Sequence, residues 1–321
     1  MRREERDLRE LFARDGARER AAGMLRWAGD WTPDLIVCDE VDFGSVIAAE
    51  RLGVPYATVT VLPAGGLIRP DVVAAELDAV RAEYGLPPDP ELGALSRYLV
   101  LVPGPPSLRD PGFPLPATAR GIGVDAPGRS GTSTAGEPPW PVTRPGEPAV
   151  YVTLGTIFNL ESGDLFDRVL EGVRDHAGDV VMTVGGHLDP SEFGRQPENV
   201  HIERYIPQAR VLPHVDVMVS HGGSGSVLGA LAHGLPMVLI AMGADQPLNA
   251  ARCEALGVAR VLDPIAATPA DIRAAIDVVQ KEAGYRQAAM RLRDEMASLP
   301  GPAHAVELLE RLARDRQPIL G

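Results

Sequence analysis

Cysteine is scarce in this chain of 321 residues. Only Cys38 and Cys253 are present, far apart and without a CxxC pair. Metal and redox sites built on thiols usually contain closely spaced cysteines, and disulfide frameworks need several of them. The sequence therefore argues against a thiol metal site, a redox site and a disulfide framework. We interpret both cysteines as reduced structural thiols.

Positive charge and long apolar runs are also lacking. The chain carries 31 Lys and Arg against 44 Asp and Glu, which gives a net charge of −13. Nucleic acids and membrane surfaces are bound through basic patches, so we expect no nucleic-acid partner. No apolar run reaches the roughly 18 residues of a membrane span, and the highly charged N-terminus is unlike a signal peptide. We expect a cytoplasmic protein without an integral membrane segment.

Proline and glycine divide the chain into two parts. Residues 125–148 contain six prolines and four glycines without apolar periodicity, which is typical of a linker. We place an N-terminal domain at residues 1–124 and a C-terminal domain at residues 149–321. The last helix could pack back on the N-terminal domain.

Short apolar runs alternate with helical stretches on both sides of this linker. Before it, residues 34–38, 45–51 and 54–61 read as strand, helix and strand, the pattern of a βαβ unit. After it, six apolar strands are separated mostly by helical stretches, at residues 149–154, 180–184, 200–203, 215–220, 236–241 and 258–262. The alternation predicts an α/β protein with doubly wound parallel sheets, whose ligands bind at the carboxyl ends of the strands.

A glycine-rich turn follows the strand that ends at Ser220. Its sequence is His221-Gly222-Gly223-Ser224-Gly225-Ser226, and a helical stretch comes next. Glycines expose backbone N–H groups, and a helix N-terminus attracts anions, so the turn suits a pyrophosphate. It matches neither the GxxxxGK[ST] P-loop nor the GxGxxG dinucleotide motif. The alternative is a tight strand-to-helix turn without a ligand.

Two weaker signals follow other strand ends. Thr156 comes directly after the strand at residues 149–154, where its hydroxyl would face the same crevice. Asp245 and Gln246 offer acceptors and donors that suit vicinal sugar hydroxyls. Taken alone, Asp245 is better explained as the cap of the helix that follows it.

The stretch from Tyr205-Ile206-Pro207-Gln208 through the glycine turn to Asp245-Gln246 resembles the donor signature of family 1 glycosyltransferases. It is most similar to actinomycete enzymes that glycosylate macrolides and aromatic polyketides. The resemblance implies a GT-B fold, in which two Rossmann-like domains face a cleft. It also implies an inverting transfer, without metal or other cofactor, from a dTDP- or UDP-hexose to a hydroxyl of a small hydrophobic natural product.

The resemblance further implies the residues that hold the sugar nucleotide. Tyr205 would stack on the nucleobase, Ile206 would bind its edge through the backbone, and Gln208 would lie near the nucleoside. The glycine turn and Thr156 would hold the diphosphate, while Asp245 and Gln246 would hold the sugar hydroxyls. The complete donor-binding set is Thr156, Tyr205, Ile206, Gln208, His221, Gly222, Gly223, Ser224, Gly225, Ser226, Asp245 and Gln246.

The chain departs from the family pattern at two places. Gly229 stands where many relatives that use uridine sugars carry a ribose-binding Glu, which suits a dTDP-deoxysugar. Members of the family begin with a strand and a GHxxP-like loop, and this loop carries the general-base His. Residues 1–30 contain no counterpart of either. Asp39 matches the Asp that orients this His, although an Asp at such a position can also cap the next helix. We therefore expect the N-terminal domain to be incomplete.

These departures keep alternatives open. The chain could be a catalytically weak or inactive sugar-nucleotide-binding protein that lacks the catalytic His. It could complete its N-terminal domain through a partner or a second copy, so a homodimer is possible. A GT-B sugar-nucleotide epimerase would share the fold, but it would need acid and base residues around the sugar that the sequence does not reveal.

Overall fold

The computed structural model describes residues 3–123, 137–155 and 162–320. The chain forms two compact units. Unit 1 contains residues 1–124 together with 298–321, and unit 2 contains residues 125–297.

Ten short strands lie within the described ranges, four in unit 1 and six in unit 2. In unit 1 they are β1 (Ile36–Asp39), β2 (Tyr56–Val59), β3 (Leu99–Pro103) and β4 (Ala119–Ile122). In unit 2 they are β5 (Val150–Thr153), β6 (Val180–Thr183), β7 (Val200–Glu203), β8 (Val217–Ser220), β9 (Met237–Leu239) and β10 (Ala259–Val261).

The helices fill the segments between these strands. In unit 1 they are α1 (Arg3–Asp7), α2 (Ala17–Trp27), α3 (Phe43–Leu52), α4 (Pro70–Glu83) and α11 (Pro302–Asp315), with a π-helical stretch at Leu8–Gly16 joining α1 to α2. In unit 2 they are α5 (Leu165–Val173), α6 (Gln208–Val211), α7 (Ser224–Ala232), α8 (Gln246–Ala255), α9 (Pro269–Lys281) and α10 (Ala283–Ser298). Short 3₁₀ turns lie at Gly93–Ser96, Pro106–Leu108, Pro190–Phe193 and Leu212–His214.

The sheet of unit 1 has the order β1-β2-β3-β4, and every pair is parallel. Helix α3 connects β1 to β2, as the βαβ pattern predicts. Asp42 caps the start of α3 by accepting hydrogen bonds from the Ser45 amide and hydroxyl. Gly53, with φ of +66°, ends the helix in the left-handed region that glycine tolerates best. Strand β4 was not predicted from the sequence.

The C-terminal helix α11 belongs to unit 1, the arrangement that the sequence analysis allows for the last helix of the C-terminal domain at residues 149–321. Leu308 and Leu312 of α11 are buried against Leu99 and Leu101 of β3. The Ile319 amide then donates to the Tyr98 carbonyl at 2.9 Å. Burial of these apolar side chains stabilises the return of the chain to unit 1.

The sheet of unit 2 has the order β10-β9-β8-β5-β6-β7 and is parallel throughout. The chain builds outward from β5 through β6 to β7. It then crosses to the other side of β5 and continues through β8, β9 and β10. The strand order therefore reverses between β5 and β8, which is where doubly wound sheets bind ligands. These two parallel sheets confirm the predicted α/β class.

The described part of the proline-rich segment is tied to unit 2. Buried Asp179 accepts hydrogen bonds from the Thr143 hydroxyl at 2.6 Å and from the Thr143 amide at 3.1 Å. The Trp140 ring is buried and makes an edge contact with His214, with centroids 6.1 Å apart. Residues 137–148, the second half of the predicted linker, are therefore anchored to unit 2. Residues 124–136 lie outside the described residues.

Within the described ranges, no helix is both long and apolar enough to cross a bilayer.

The docking of α11 can be tested by truncating its buried face. Leu312→Ala removes a side chain with 0% exposure, so we expect the free energy of unfolding to fall by about 2–5 kcal/mol. Val306 lies on the same helix with 52% exposure. Val306→Ala should therefore change the free energy of unfolding by about 0.5 kcal/mol at most. Urea denaturation followed by circular dichroism measures both. Equal effects of the two substitutions would contradict the docking.

Candidate functional site

The predicted donor residues converge at the carboxyl ends of β5 and β8. Thr153 of β5 and Ser220 of β8 are register partners across the two strands. The loop that leaves β5 therefore starts beside the loop that leaves β8. The first contains Gly155, and the second contains His221 and the glycine turn.

The His221 imidazole is packed between two glycines. A Cβ added at Gly155 would lie 2.6 Å from His221 Nε2, and one added at Gly223 would lie closer still. Gly155 also has φ of +77°, a region that other residues rarely adopt. Both positions need glycine because the ring occupies the space where a side chain would begin.

The surroundings of His221 favour its neutral form. Burial is the largest influence and lowers the pKa of the imidazole, while the Asp245 carboxylate and the Thr153 carbonyl act in the opposite direction. Nδ1 is buried and has no hydrogen-bond partner among the described residues. A buried polar atom without a partner is costly, so a ligand that supplied one would stabilise this arrangement.

The first turn of α7 presents free backbone N–H groups beside this ring. The helix begins at Ser224, and its first α-helical bond runs from the Val227 amide to the Gly223 carbonyl at 3.0 Å. The amides of Ser224, Gly225 and Ser226 therefore have no acceptor within the helix. No atom lies within 4 Å of a Cβ built on Gly225, so this side of the turn is open. Helix dipole and free amides together make an anion cradle.

Asp245 does not cap α8, so the interpretation of this residue as a helix cap is wrong. Its side chain makes no capping hydrogen bond to the helix. Asp245 Oδ2 instead accepts from the Ser224 hydroxyl at 2.5 Å and from Asn249 Nδ2 at 2.7 Å. The structure therefore brings Asp245 to the glycine turn, 21 residues earlier in the chain.

Gln246 is buried, with 2% exposure. Its side-chain oxygen accepts hydrogen bonds from the Met242 amide at 2.8 Å and the Gly243 amide at 3.2 Å. The residue therefore holds the loop between β9 and α8, a structural contribution that the sequence did not indicate. Its oxygen is already engaged by the backbone.

Gln208 and the residues before it lie beside the other end of the glycine turn. Gln208 begins α6, and its Nε2 donates to the Ser226 hydroxyl at 3.2 Å. The preceding Tyr205 ring is 70% exposed, whereas the Ile206 side chain is buried. A Cβ at Gly229 would lie 3.2 Å from Gln208 Oε1 and 3.1 Å from Leu212 Cδ1. Gln208 and Leu212 therefore pack against Gly229.

Two predicted residues remain, Thr156 and Asp39. Thr156 lies outside the described residues. Asp39 ends β1 in unit 1, where its exposed side chain accepts from the Val41 amide at 2.9 Å. The possibility that Asp39 caps the next helix is wrong, because Asp42 has that role.

Asn249 is a site residue that sequence reasoning missed. It lies one helical turn after Asp245, and its side chain contacts Asp245, Ser224 and the Gly222 carbonyl. The i, i+4 spacing on a predicted helix was the available signal. That signal could not reveal the contacts with the glycine turn.

The described residues contain no cluster of three or more His, Cys, Asp and Glu side chains that could hold a metal ion.

Comparisons with known proteins identify the family to which the chain belongs. The family described as the C-terminal domain of erythromycin biosynthesis protein CIII-like proteins matches residues 167–312. The 4'-demethylrebeccamycin synthase of Lentzea aerocolonigenes is 32% identical, over 95% of this chain and 79% of that protein. The L-demethylnoviosyl transferase of Streptomyces niveus is 30% identical, over 90% of this chain and 73% of that protein. The chain belongs to the family of actinomycete antibiotic glycosyltransferases.

A solved structure agrees with this assignment. The calicheamicin glycosyltransferase CalG4 superimposes with a TM-score of 0.76 and 27% identity, and the match covers 92% of this chain and 79% of that one. The predicted GT-B fold and glycosyltransferase family are therefore confirmed. The residue roles within this glycosyltransferase stay predictions.

The packing of His221 predicts unequal effects of alanine at three glycines. Gly155→Ala forces both a positive φ and a clash with the imidazole, so we expect a loss of about 2–4 kcal/mol of unfolding free energy. Gly223→Ala introduces the clash alone and should cost about 1–3 kcal/mol. Gly225→Ala meets no atom and should be neutral or slightly stabilising. Urea denaturation of the three variants measures this order, and equal losses at all three would refute the packing argument.

The lowered pKa of His221 predicts a pH dependence of stability. Its native pKa lies below the unfolded value, so the unfolded chain binds the proton first as pH falls. The contribution of the neutral ring is complete above pH of about 6.5 and is lost on acidification, with a slope of at most roughly 1.4 kcal/mol per pH unit. His221→Gln should flatten this part of the unfolding free-energy profile between pH 7.5 and 5. His176→Gln, in the loop that leads into the amino end of β6, is the control, and identical profiles for both variants would contradict the assignment.

Proposed function

We propose that the glycine turn and His221 bind the diphosphate of a nucleotide sugar, and that the protein transfers this sugar to a hydroxyl of a small hydrophobic natural product. The observation that supports the proposal best is the conjunction of an unsatisfied imidazole nitrogen and the open first turn of α7. Both features favour an anion with several oxygen acceptors.

The nucleoside would extend from the diphosphate toward α6. The exposed Tyr205 ring supplies a surface for base stacking, and the adjacent Ile206 backbone could bind the base edge. Gln208, which bonds Ser226, would meet the nucleoside between base and phosphate. Thr156 is proposed as a further phosphate contact on the basis of its sequence position alone.

The packing around Gly229 supports a thymidine diphosphate sugar as the donor. A larger side chain at this position would have to displace Gln208 or Leu212. The chain therefore has no carboxylate at the place where many uridine-sugar enzymes bind the ribose hydroxyls. A deoxyribose has one hydroxyl fewer than a ribose, so it needs fewer hydrogen bonds from the residue at this position.

Asp245 and Gln246 would hold the sugar. Asp245 has one carboxylate oxygen engaged by Ser224 and Asn249, so Oδ1 is the oxygen offered to a sugar hydroxyl. The Gln246 oxygen is bonded to the backbone of its own loop. Only the Gln246 amide group would then be left to donate to the sugar.

The reaction follows from this arrangement of charges. The acceptor oxygen forms a bond to the anomeric carbon with inversion, and the bond from that carbon to the diphosphate oxygen breaks. The electron pair of the broken bond stays on the diphosphate, whose added charge the amides of α7 and His221 stabilise. The acceptor proton passes to a general-base His, which the resemblance to the family implies and which has no counterpart in residues 1–30; Asp39 is proposed to orient that His. We propose that no metal or other cofactor takes part.

A cytoplasmic location and a homodimer are further parts of the proposal. The location rests on the two free, buried cysteines.

Substitution of His221 tests the proposed donor site. We expect His221→Ala to weaken the binding of dTDP about tenfold or more, because the diphosphate loses a hydrogen bond of the charge-assisted kind. Sugar transfer should decline in parallel. Isothermal titration calorimetry with dTDP measures the first effect, and His176→Ala serves as a control within the same unit. Unchanged dTDP affinity in His221→Ala would exclude this loop as the diphosphate site.

A further inference from the structure

Asn249 joins three parts of the site through one buried nitrogen. Its Nδ2 lies 2.7 Å from Asp245 Oδ2, 3.1 Å from the Gly222 carbonyl and 3.2 Å from the Ser224 hydroxyl. The residue is only 1% exposed, and its own oxygen has no partner among the described residues. A flipped amide would place that oxygen against the carbonyl and the carboxylate, so the contacts require the nitrogen to face them.

Ser224 also has a contact that its position in the helix does not require. It is the first residue of α7, where a serine often bonds a backbone amide of its own turn. Here its hydroxyl donates to Asp245 Oδ2 at 2.5 Å. The start of α7 is thereby linked to the start of α8, and the link passes through a carboxylate.

The two donors restrict the orientation of Asp245. Hydrogen bonds to an ionised carboxylate are stronger than those between neutral groups. Two of them on a single oxygen hold the carboxylate in one rotamer and leave Oδ1 as the oxygen that can accept from a ligand. A carboxylate without these donors could rotate away from the glycine turn.

We propose that Ser224 and Asn249 are positioning residues that orient Asp245 toward the donor sugar and couple its position to the diphosphate-binding turn. The inference rests on the proposed function, because it takes the sugar and the diphosphate as the ligands of these two places. It assigns to Ser224 a second role besides its backbone amide, and it brings Asn249 into the site. Neither side chain needs to touch the sugar.

The coupling has a specific consequence for ligand discrimination. A nucleoside diphosphate without sugar uses the amides of the turn but has no hydroxyl for Asp245 Oδ1. Loss of the Ser224 hydroxyl or the Asn249 amide should therefore affect dTDP little. The same loss should weaken dTDP-glucose, because the carboxylate that receives its hydroxyls is no longer held.

Calorimetry with these two probes tests the proposal in the full-length chain. We expect Ser224→Ala to lower the affinity for dTDP-glucose by about tenfold, the size expected for one charge-assisted hydrogen bond. The affinity for dTDP should change by less than about threefold. Asn249→Ala should give the same pattern. Ser224→Ala is the safer variant, because alanine is favourable in a helix and the hydroxyl is only partly buried.

A double substitution separates positioning from general loosening of the site. In an Asp245→Asn background, Ser224→Ala should cause no further loss of dTDP-glucose affinity, because the group that it orients is already altered. If the two substitutions together reduced dTDP-glucose affinity by the product of their separate effects, the proposal would be overturned. Equal weakening of dTDP and dTDP-glucose by Ser224→Ala would overturn it too, because the serine would then only shape the turn.

A matched control is available in the same unit. Asn199 is also a buried asparagine, and its Nδ2 donates to the carbonyls of His176 and Gly178 at the amino end of the sheet. Asn199→Ala should lower stability without changing the ratio of the two affinities. A parent protein that bound neither probe would refute the proposed function itself. A parent protein that bound both, with unchanged ratios in Ser224→Ala and Asn249→Ala, would refute only the positioning network.

Discussion

The close packing of His221 between Gly155 and Gly223 is the constraint on which the rest of the proposed donor site depends. It is possible only because β5 and β8 are neighbours at the reversal of strand order, so that their two loops start side by side. The ring then occupies the space that two side chains would need. The backbone of the turn is thereby fixed, and α7 begins with its free amides beside an imidazole that burial keeps neutral.

The parts of the site differ in how firmly the protein holds them. Asp245, Asn249 and Ser224 are bonded to one another, and Gln246 is bonded to the loop that precedes α8. The Tyr205 ring, in contrast, is mostly exposed. Such a division suits a ligand whose charged centre must be placed accurately while its base can be met by a stacking surface. Preorganised hydrogen-bond donors contribute most where charge develops, which in the proposed reaction is at the diphosphate.

Much of the fold could be predicted because its strands are short apolar runs with helices between them. The predicted strands at residues 180–184 and 200–203 agree with β6 and β7 to within one residue. Strand β4, with the sequence Ala-Arg-Gly-Ile, has only one buried side chain and therefore no apolar run to reveal it. The amphipathic pattern of α11 predicts that one face is buried but not which unit covers it, so its packing on the N-terminal domain was only one of the possibilities that the sequence allowed.

The family and the parallel α/β architecture can be recognised in the sequence, because they depend on local patterns and on a long contiguous signature, and the same sequence predicts an anion site at the glycine-rich turn of His221. The partners of the polar residues around the turn follow from the packing of the helices. Asp245 could have capped a helix, and Gln246 could have faced the ligand with its whole side chain. Only the approach of α8 to α7 shows that Asp245 meets Ser224 and Asn249. Hydrogen bonds between residues distant in the chain depend on how the helices pack, and no local pattern records that packing.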